Sequence, residues 1–145
     1  MARDLRGTTM ASADTEVSRR PRPLSPHLSI YRPIVTMVMS IMHRATGIMN
    51  IAGLVLVVAY LLALAAGPES FEWVNGIYSS ILGRIVLVAF TWSLIHHALG
   101  GIRHFIWDFG KMVGEARYDL AWATIVGSVL ITTALWALVV VLENI

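Results

Sequence analysis

The chain contains no cysteine, and that absence removes disulfides, thiolate nucleophiles, iron–sulfur ligation and cysteine-type zinc sites at once. Any metal it holds must be held by histidine. Charge is also scarce: 14% of 145 residues are charged, against 57% hydrophobic. A water-soluble helical domain of this size needs charge on every outer face, and long stretches here have none. Lipid is the solvent that fits. The net charge of +2 and basic balance form no stripe of Lys and Arg, so a nucleic-acid partner is not indicated. The basic residues sit instead beside apolar segments.

Residues 1–21 read as a polar, mobile tail with no apolar signal-peptide core, and its three acidic residues (Asp4, Asp14, Glu16) argue against a mitochondrial transit peptide. Pro21, Pro23, Pro26 and Pro33 then deny a continuous helix and favour an extended path along the membrane surface. From Gly47 to Ala66 there are twenty residues without a formal charge, about 30 Å as a helix and enough to cross the hydrocarbon core. The expected architecture is all-α with three transmembrane helices, over about 34–66, 81–106 and 119–142, within one domain over 22–145. Gly67-Pro68 ends the first span, and Glu69 to Ser80 reads as a short polar connection with Trp73 and Tyr78 at headgroup level. All Lys and Arg except Arg84 fall before or early in the first span, or from Arg103 to Arg117 between the second and third spans. The N-terminus is therefore expected on the cytoplasmic or matrix side and the C-terminus opposite.

Chemistry concentrates in two places. In the second span, His97 and His104 are seven residues apart, about 20° apart around the helix, with Gly100 and Gly101 on the strip between them. A flat macrocycle needs a smooth patch, and neutral imidazole is a common axial ligand of haem iron. His97 lies deeper and is the expected iron ligand; His104, beside Arg103 at the interface, is placed to meet propionates. The bland alternative is a histidine that only hydrogen-bonds a neighbouring helix. His96, about 100° away from His97, is left with that alternative.

In the first span, Ser40, His43, Arg44 and Gly47 follow i, i+3, i+4, i+7 and so share a face. A hydroxyl, an imidazole and a guanidinium there could grip a quinone head, whose carbonyls accept hydrogen bonds. Arg44 could equally snorkel to the headgroups. Counting depth from Arg44 and Arg103 as edge residues places His43 shallower than His97, so the sixth iron ligand is expected from another chain. Asp108 is open to two readings, a surface ion pair with Arg103 or Lys111 and a proton entry path.

Two stretches resemble the cytochrome b membrane-anchor subunits of succinate dehydrogenase, respiratory complex II: Arg22-Pro23-Leu24-Ser25-Pro26-His27-Leu28-Ser29-Ile30-Tyr31-Arg32 continuing to Ser40-Ile41-Met42-His43-Arg44-Ala45-Thr46-Gly47, and His97 to His104 continuing through Asp108-Phe109-Gly110. The resemblance implies one haem b shared with a second small membrane-anchor subunit, and docking of an iron–sulfur subunit and a flavoprotein subunit. It implies electron flow from succinate to ubiquinone. By position, His97 matches the axial haem ligand, Ser40 and Arg44 match quinone-site residues, and His43 and His104 match residues near the propionates. The location implied is the bacterial inner (cytoplasmic) membrane, with the mitochondrial inner membrane as the alternative. A fumarate reductase running the other way, or a redox-inactive anchor or transporter component, are the competing functions.

Overall fold

Helix α1, Val35–Ala66, begins directly after Pro33 and an extended Ile34, and runs 32 residues with no interruption. This computed structural model describes residue 30 and residues 32–143; the polar tail and most of the proline-rich segment lie outside them. All the elements that follow belong to one compact unit starting at Pro33. At about 1.5 Å per residue α1 is some 48 Å long. Gly67, at φ 114°, turns the chain sharply where a side chain would be strained, and Pro68 then opens the next helix.

That next helix is a correction to the sequence reading. Glu69 to Ser80 is no irregular connection: Pro68–Ser79 forms α2, 12 residues long. Proline is pre-organised for the first turn, and Glu69 behind it favours the positive end of the helix dipole. Trp73 is 72% exposed on the outer side of α2. Tyr78 turns inward, donating its hydroxyl hydrogen to the Leu56 carbonyl at 2.7 Å and stacking on Tyr60 at 5.6 Å. Phe71 meets Tyr60 edge-on from the same helix, 5.5 Å between centroids. The aromatic cluster pins α2 back onto the end of α1.

Helix α3, Ile81–Asp108, is capped by Ser80, whose hydroxyl oxygen accepts from the Gly83 amide at 3.1 Å. A turn with Gly110, Met112 and Gly114 at positive φ leads to α4, Ala116–Glu143. Each of α1, α3 and α4 is long and apolar enough to cross a membrane, and α2 is not. The expected spans are thus present, with α3 and α4 reaching two or three residues further than read. Arg84 near the start of α3 and Glu143 at the end of α4 form an ion pair at 2.9 Å. That pair marks the end of the bundle away from the His-rich end.

Packing between these helices inverts the pattern of a soluble core. Among the described residues the buried hydrophobic side chains are Met39, Ala63 and Ala121, whereas Thr46, Ser93, His96, Arg103, Thr124, Ser128 and Thr132 are all buried. Large apolar side chains, Ile48, Leu54, Leu62, Leu130 and Leu138 among them, face outward. Lipid tails are as apolar as leucine, so helices there associate through close approach and shared hydrogen bonds. Ser93 of α3 donates to Asn50 of α1 at 2.7 Å, with the Thr46 carbonyl 3.1 Å away. Gly53 of α1 is filled by the Phe90 ring of α3. On the other side of α3, His96 Nδ1 and the Ser128 hydroxyl of α4 are 3.1 Å apart.

Candidate functional site

α1 and α3 run in opposite directions and cross with His43, Gly47 and Thr46 of α1 against His97 and Gly100 of α3. Two glycines permit the approach. A Cβ at Gly100 would lie 2.5 Å from His43 Nδ1, and one at Gly47 would lie 3.2 Å from His97 Cε1. Each imidazole therefore occupies the space that glycine leaves on the facing helix. The His43 and His97 rings stack, 4.0 Å between centroids and 8° from parallel. His104 joins them two turns along α3 from His97, its ring 5.2 Å from His43 and 5.5 Å from Trp107.

This arrangement overturns the depth argument drawn from the sequence. His43 is not shallower than His97; the two are level. The error lay in treating Arg44 and Arg103 as edge residues. α1 starts at Val35, which puts Arg44 about 14 Å along the helix. Arg103 is 2% exposed and packs its guanidinium over Trp107, 5.1 Å from the ring centroid. It borders a cavity of about 170 Å³ between α3 and α4, lined also by Leu99, Ile106, Leu120 and Thr124. Its burial was illegible in the sequence, where the next residue is the exposed His104.

The bonding of His97 settles which of its nitrogens is available. Nδ1 lies 3.0 Å from the His43 carbonyl oxygen. A carbonyl only accepts, so in a neutral ring Nδ1 carries the hydrogen and Nε2 the lone pair. No described residue bonds Nε2, nor is it buried. One turn further along α3, Gly101 has open space where a Cβ would be. Gly100 is filled by His43 instead, so of the two glycines read as one smooth patch only Gly101 remains uncovered.

The remaining site residues separate. Ser40, His43, Arg44 and Gly47 were read as one face, yet His43 and Gly47 turn to α3 while Arg44 is exposed and Ser40 half-exposed. Neither Ser40 nor Arg44 bonds another side chain among the described residues. Asp108 is exposed and pairs with neither Arg103 nor Lys111; the ion pair among the described residues is Arg84 with Glu143. His96 is 2% exposed and bonded to α4 through Ser128, so it holds helices together. The residue that sequence reasoning missed is Thr46, fully buried with its hydroxyl 3.2 Å from His97 Nδ1. Its signal was a hydroxyl three residues after His43, on the same helix face. A cavity of about 390 Å³ at the Arg84–Glu143 end, lined by Tyr60, Tyr78, Trp136 and others, contains none of these residues.

Residues 18–140 match the family described as succinate dehydrogenase/fumarate reductase transmembrane subunit. The chain belongs to that family. It is similar to the succinate dehydrogenase cytochrome b556 subunit of Paracoccus denitrificans, 38% identical over 117 residues, covering 80% of this chain and 90% of the relative. The corresponding subunit of Rickettsia prowazekii is 34% identical over 116 residues, 79% of this chain and 90% of the relative. The mitochondrial cytochrome b560 subunit of Bos taurus is 42% identical over 95 residues, 62% of this chain and 54% of the relative. As a family member with three spanning helices, the chain is a multi-pass membrane protein. The matched region begins before α1 and ends within α4, so it includes the whole His-rich end.

Proposed function

We propose that this chain is the cytochrome b membrane-anchor subunit of a succinate:quinone oxidoreductase, binding haem b together with a second membrane subunit and helping to form the ubiquinone site. The observation that carries the reading is the state of His97: Nδ1–H tied to the His43 carbonyl at 3.0 Å, Nε2 unbonded among the described residues, and an open surface at Gly101 one turn along the same helix. Iron-binding histidines characteristically donate the other ring N–H to a carbonyl, which fixes the tautomer and raises ligand basicity. The donor set therefore fits a haem, which His97 would hold through Nε2. His43 cannot serve as the opposite ligand, because its ring lies face to face with His97 at 4.0 Å and leaves no room between them. The second ligand then comes from the partner subunit. His43 and His104, 5.2 Å apart, are the groups available to propionates.

Bound haem would supply a one-electron carrier within the membrane. Succinate loses two electrons and two protons to become fumarate at a flavoprotein subunit, and an iron–sulfur subunit passes the electrons to ubiquinone, which takes up two protons to become the quinol. Ser40 and Arg44, one helical turn apart and without a side-chain bond among the described residues, provide a hydroxyl and a guanidinium to the quinone carbonyls. Asp108, exposed and without an ion pair among the described residues, is the candidate for delivering protons. The chain holds the acceptor end only, so the direction of turnover is a property of its partners and quinone. The N-terminus lies on the cytoplasmic or matrix side, in a bacterial inner membrane or its mitochondrial counterpart.

Gentle detergent purification with identification of the co-purifying chains, followed by a reduced-minus-oxidised spectrum, tests the reading. A flavoprotein, an iron–sulfur protein and a sharp reduced α band are expected. A purified assembly without haem would return the histidines to helix packing, as His96 already illustrates.

A further inference from the structure

Thr46 has no exposed surface, and its hydroxyl sits where three polar atoms converge: the Met42 carbonyl at 2.9 Å, the His43 carbonyl at 3.0 Å and His97 Nδ1 at 3.2 Å. A hydroxyl has one hydrogen to give and two lone pairs to offer. The His43 carbonyl only accepts, so Nδ1 of a neutral His97 carries the hydrogen. The threonine oxygen then accepts from Nδ1 and gives its own hydrogen to Met42 or His43. One carbonyl fixes the tautomer, and the threonine oxygen is a second acceptor for it. They hold the Nδ1–H edge of the ring between them, and Gly47 lets the ring come that close.

We propose that Thr46 is a positioning residue for His97: by accepting from Nδ1 it sets the plane of the imidazole and the electron-donating strength of Nε2, and so tunes the potential of the iron that Nε2 binds. This rests on the reading of His97 as an axial ligand. When Thr46 donates to Met42, its oxygen is polarised and becomes a better acceptor, and the His43 carbonyl is left wholly to His97. A stronger pull on the Nδ1 hydrogen gives Nε2 more negative character and favours ferric iron. Loss of the hydroxyl removes one of the two restraints on ring rotation and weakens that pull. The remaining bond to a backbone carbonyl keeps the tautomer, so the iron stays ligated while its electronics change.

The experiment compares Thr46→Val, Thr46→Ala and Thr46→Ser in the assembled complex, with His97→Leu alongside. The readouts are the haem midpoint potential by redox titration and the low-spin EPR g-values of the oxidised haem. Valine keeps the shape of threonine and loses the oxygen; serine keeps the oxygen and loses the methyl. The expected result is a positive shift of midpoint and a changed largest g-value in Val and Ala, both returning to wild type in Ser. Wild-type values in Val and Ala would overturn the proposal. So would a Ser variant displaced like Val, because shape and not the hydroxyl would then be responsible. A wild-type haem spectrum in His97→Leu would overturn the ligand reading itself, whereas loss of haem there with unshifted Thr46 variants removes the positioning role alone.

Discussion

The imidazole rings of His43 and His97 lie face to face, 4.0 Å apart and 8° from parallel, although the residues are 54 positions apart on antiparallel helices. Stacking ties the two halves of the site into one unit: α1 supplies the carbonyl that orients His97, and α3 supplies Gly100, the gap that receives His43. The two histidines are thus held by backbone geometry more than by side-chain charge.

Three histidines of α3 are expected to part company on substitution. His97→Leu removes the unbonded Nε2 and abolishes or strongly perturbs the haem spectrum without adding charge to the membrane. His104→Leu keeps the haem and shifts its potential, since an exposed imidazole next to His43 is lost. His96→Leu keeps the spectrum but loses the bond to Ser128, worth about 0.6 to 1.7 kcal/mol for a side-chain bond within a membrane. Difference spectra at matched protein content read the first two, and thermal unfolding in detergent reads the third. An unchanged spectrum in His97→Leu together with its loss in His104→Leu would reverse the assignment.

The two adjacent glycines give a sharper contrast. Gly100→Ala drives a Cβ toward His43 Nδ1, 2.5 Å away, so the stack must open and the helices must shift. Overpacking of that kind costs about 1 to 3 kcal/mol. Gly101→Ala meets nothing among the described residues. If haem lies against that surface, Gly101→Ala lowers haem content while leaving the protein's own stability intact. Haem-to-protein ratio and melting temperature, measured on both variants, should move in different combinations; matched losses in both measurements for both variants would count against the open-patch reading.

The pairing of Gly53 with Phe90 predicts a compensating pair remote from the haem. Gly53→Ala collides with the Phe90 ring and is expected to destabilise the α1–α3 contact by about 1 to 3 kcal/mol. Phe90→Leu frees the space, so the double variant recovers part of that loss. A double-mutant cycle in detergent reads the coupling, and additive effects would show that the two residues do not share the contact.

Three spans were legible because uncharged runs of eighteen residues or more have few alternatives to lipid, and the boundaries came within three residues. Helix α2 was not, since Gly67-Pro68 reads equally as a stop for one helix and a start for the next, and Glu69 and Glu72 look like loop. That His97 and His104 face the same way was legible from their spacing, and both rings meet His43. The partners of His97 were not, because the relative depth of two helices depends on where each begins. Taking Arg44 and Arg103 as equal in depth misplaced His43 against α3 by about 9 Å, and with it went the stack, the role of the His43 carbonyl and Thr46. Arg103 failed for a related reason: an arginine next to an exposed histidine gives no sign that tryptophan will cover it.

The quinone face is where site chemistry and membrane anchoring make opposite predictions. Ser40 and Arg44 are one turn apart on α1, and neither side chain is bonded within the described residues. If they hold a quinone head, Ser40→Ala and Arg44→Leu slow quinone reduction and leave succinate oxidation by a soluble acceptor dye nearly intact. Loss of a hydrogen bond from a charged donor, about 1.5 to 3 kcal/mol, corresponds to roughly 10- to 100-fold in quinone turnover efficiency for Arg44→Leu. The neutral serine bond is worth less, so Ser40→Ala is expected to lose several-fold. Arg44→Lys is the finer probe: lysine snorkels as well as arginine but lacks its planar fork of donors, so binding predicts a loss where anchoring predicts none. Quinone kinetics at equal complex content decide between them, and wild-type turnover with wild-type apparent affinity in all three variants would leave Ser40 and Arg44 as structural residues of α1.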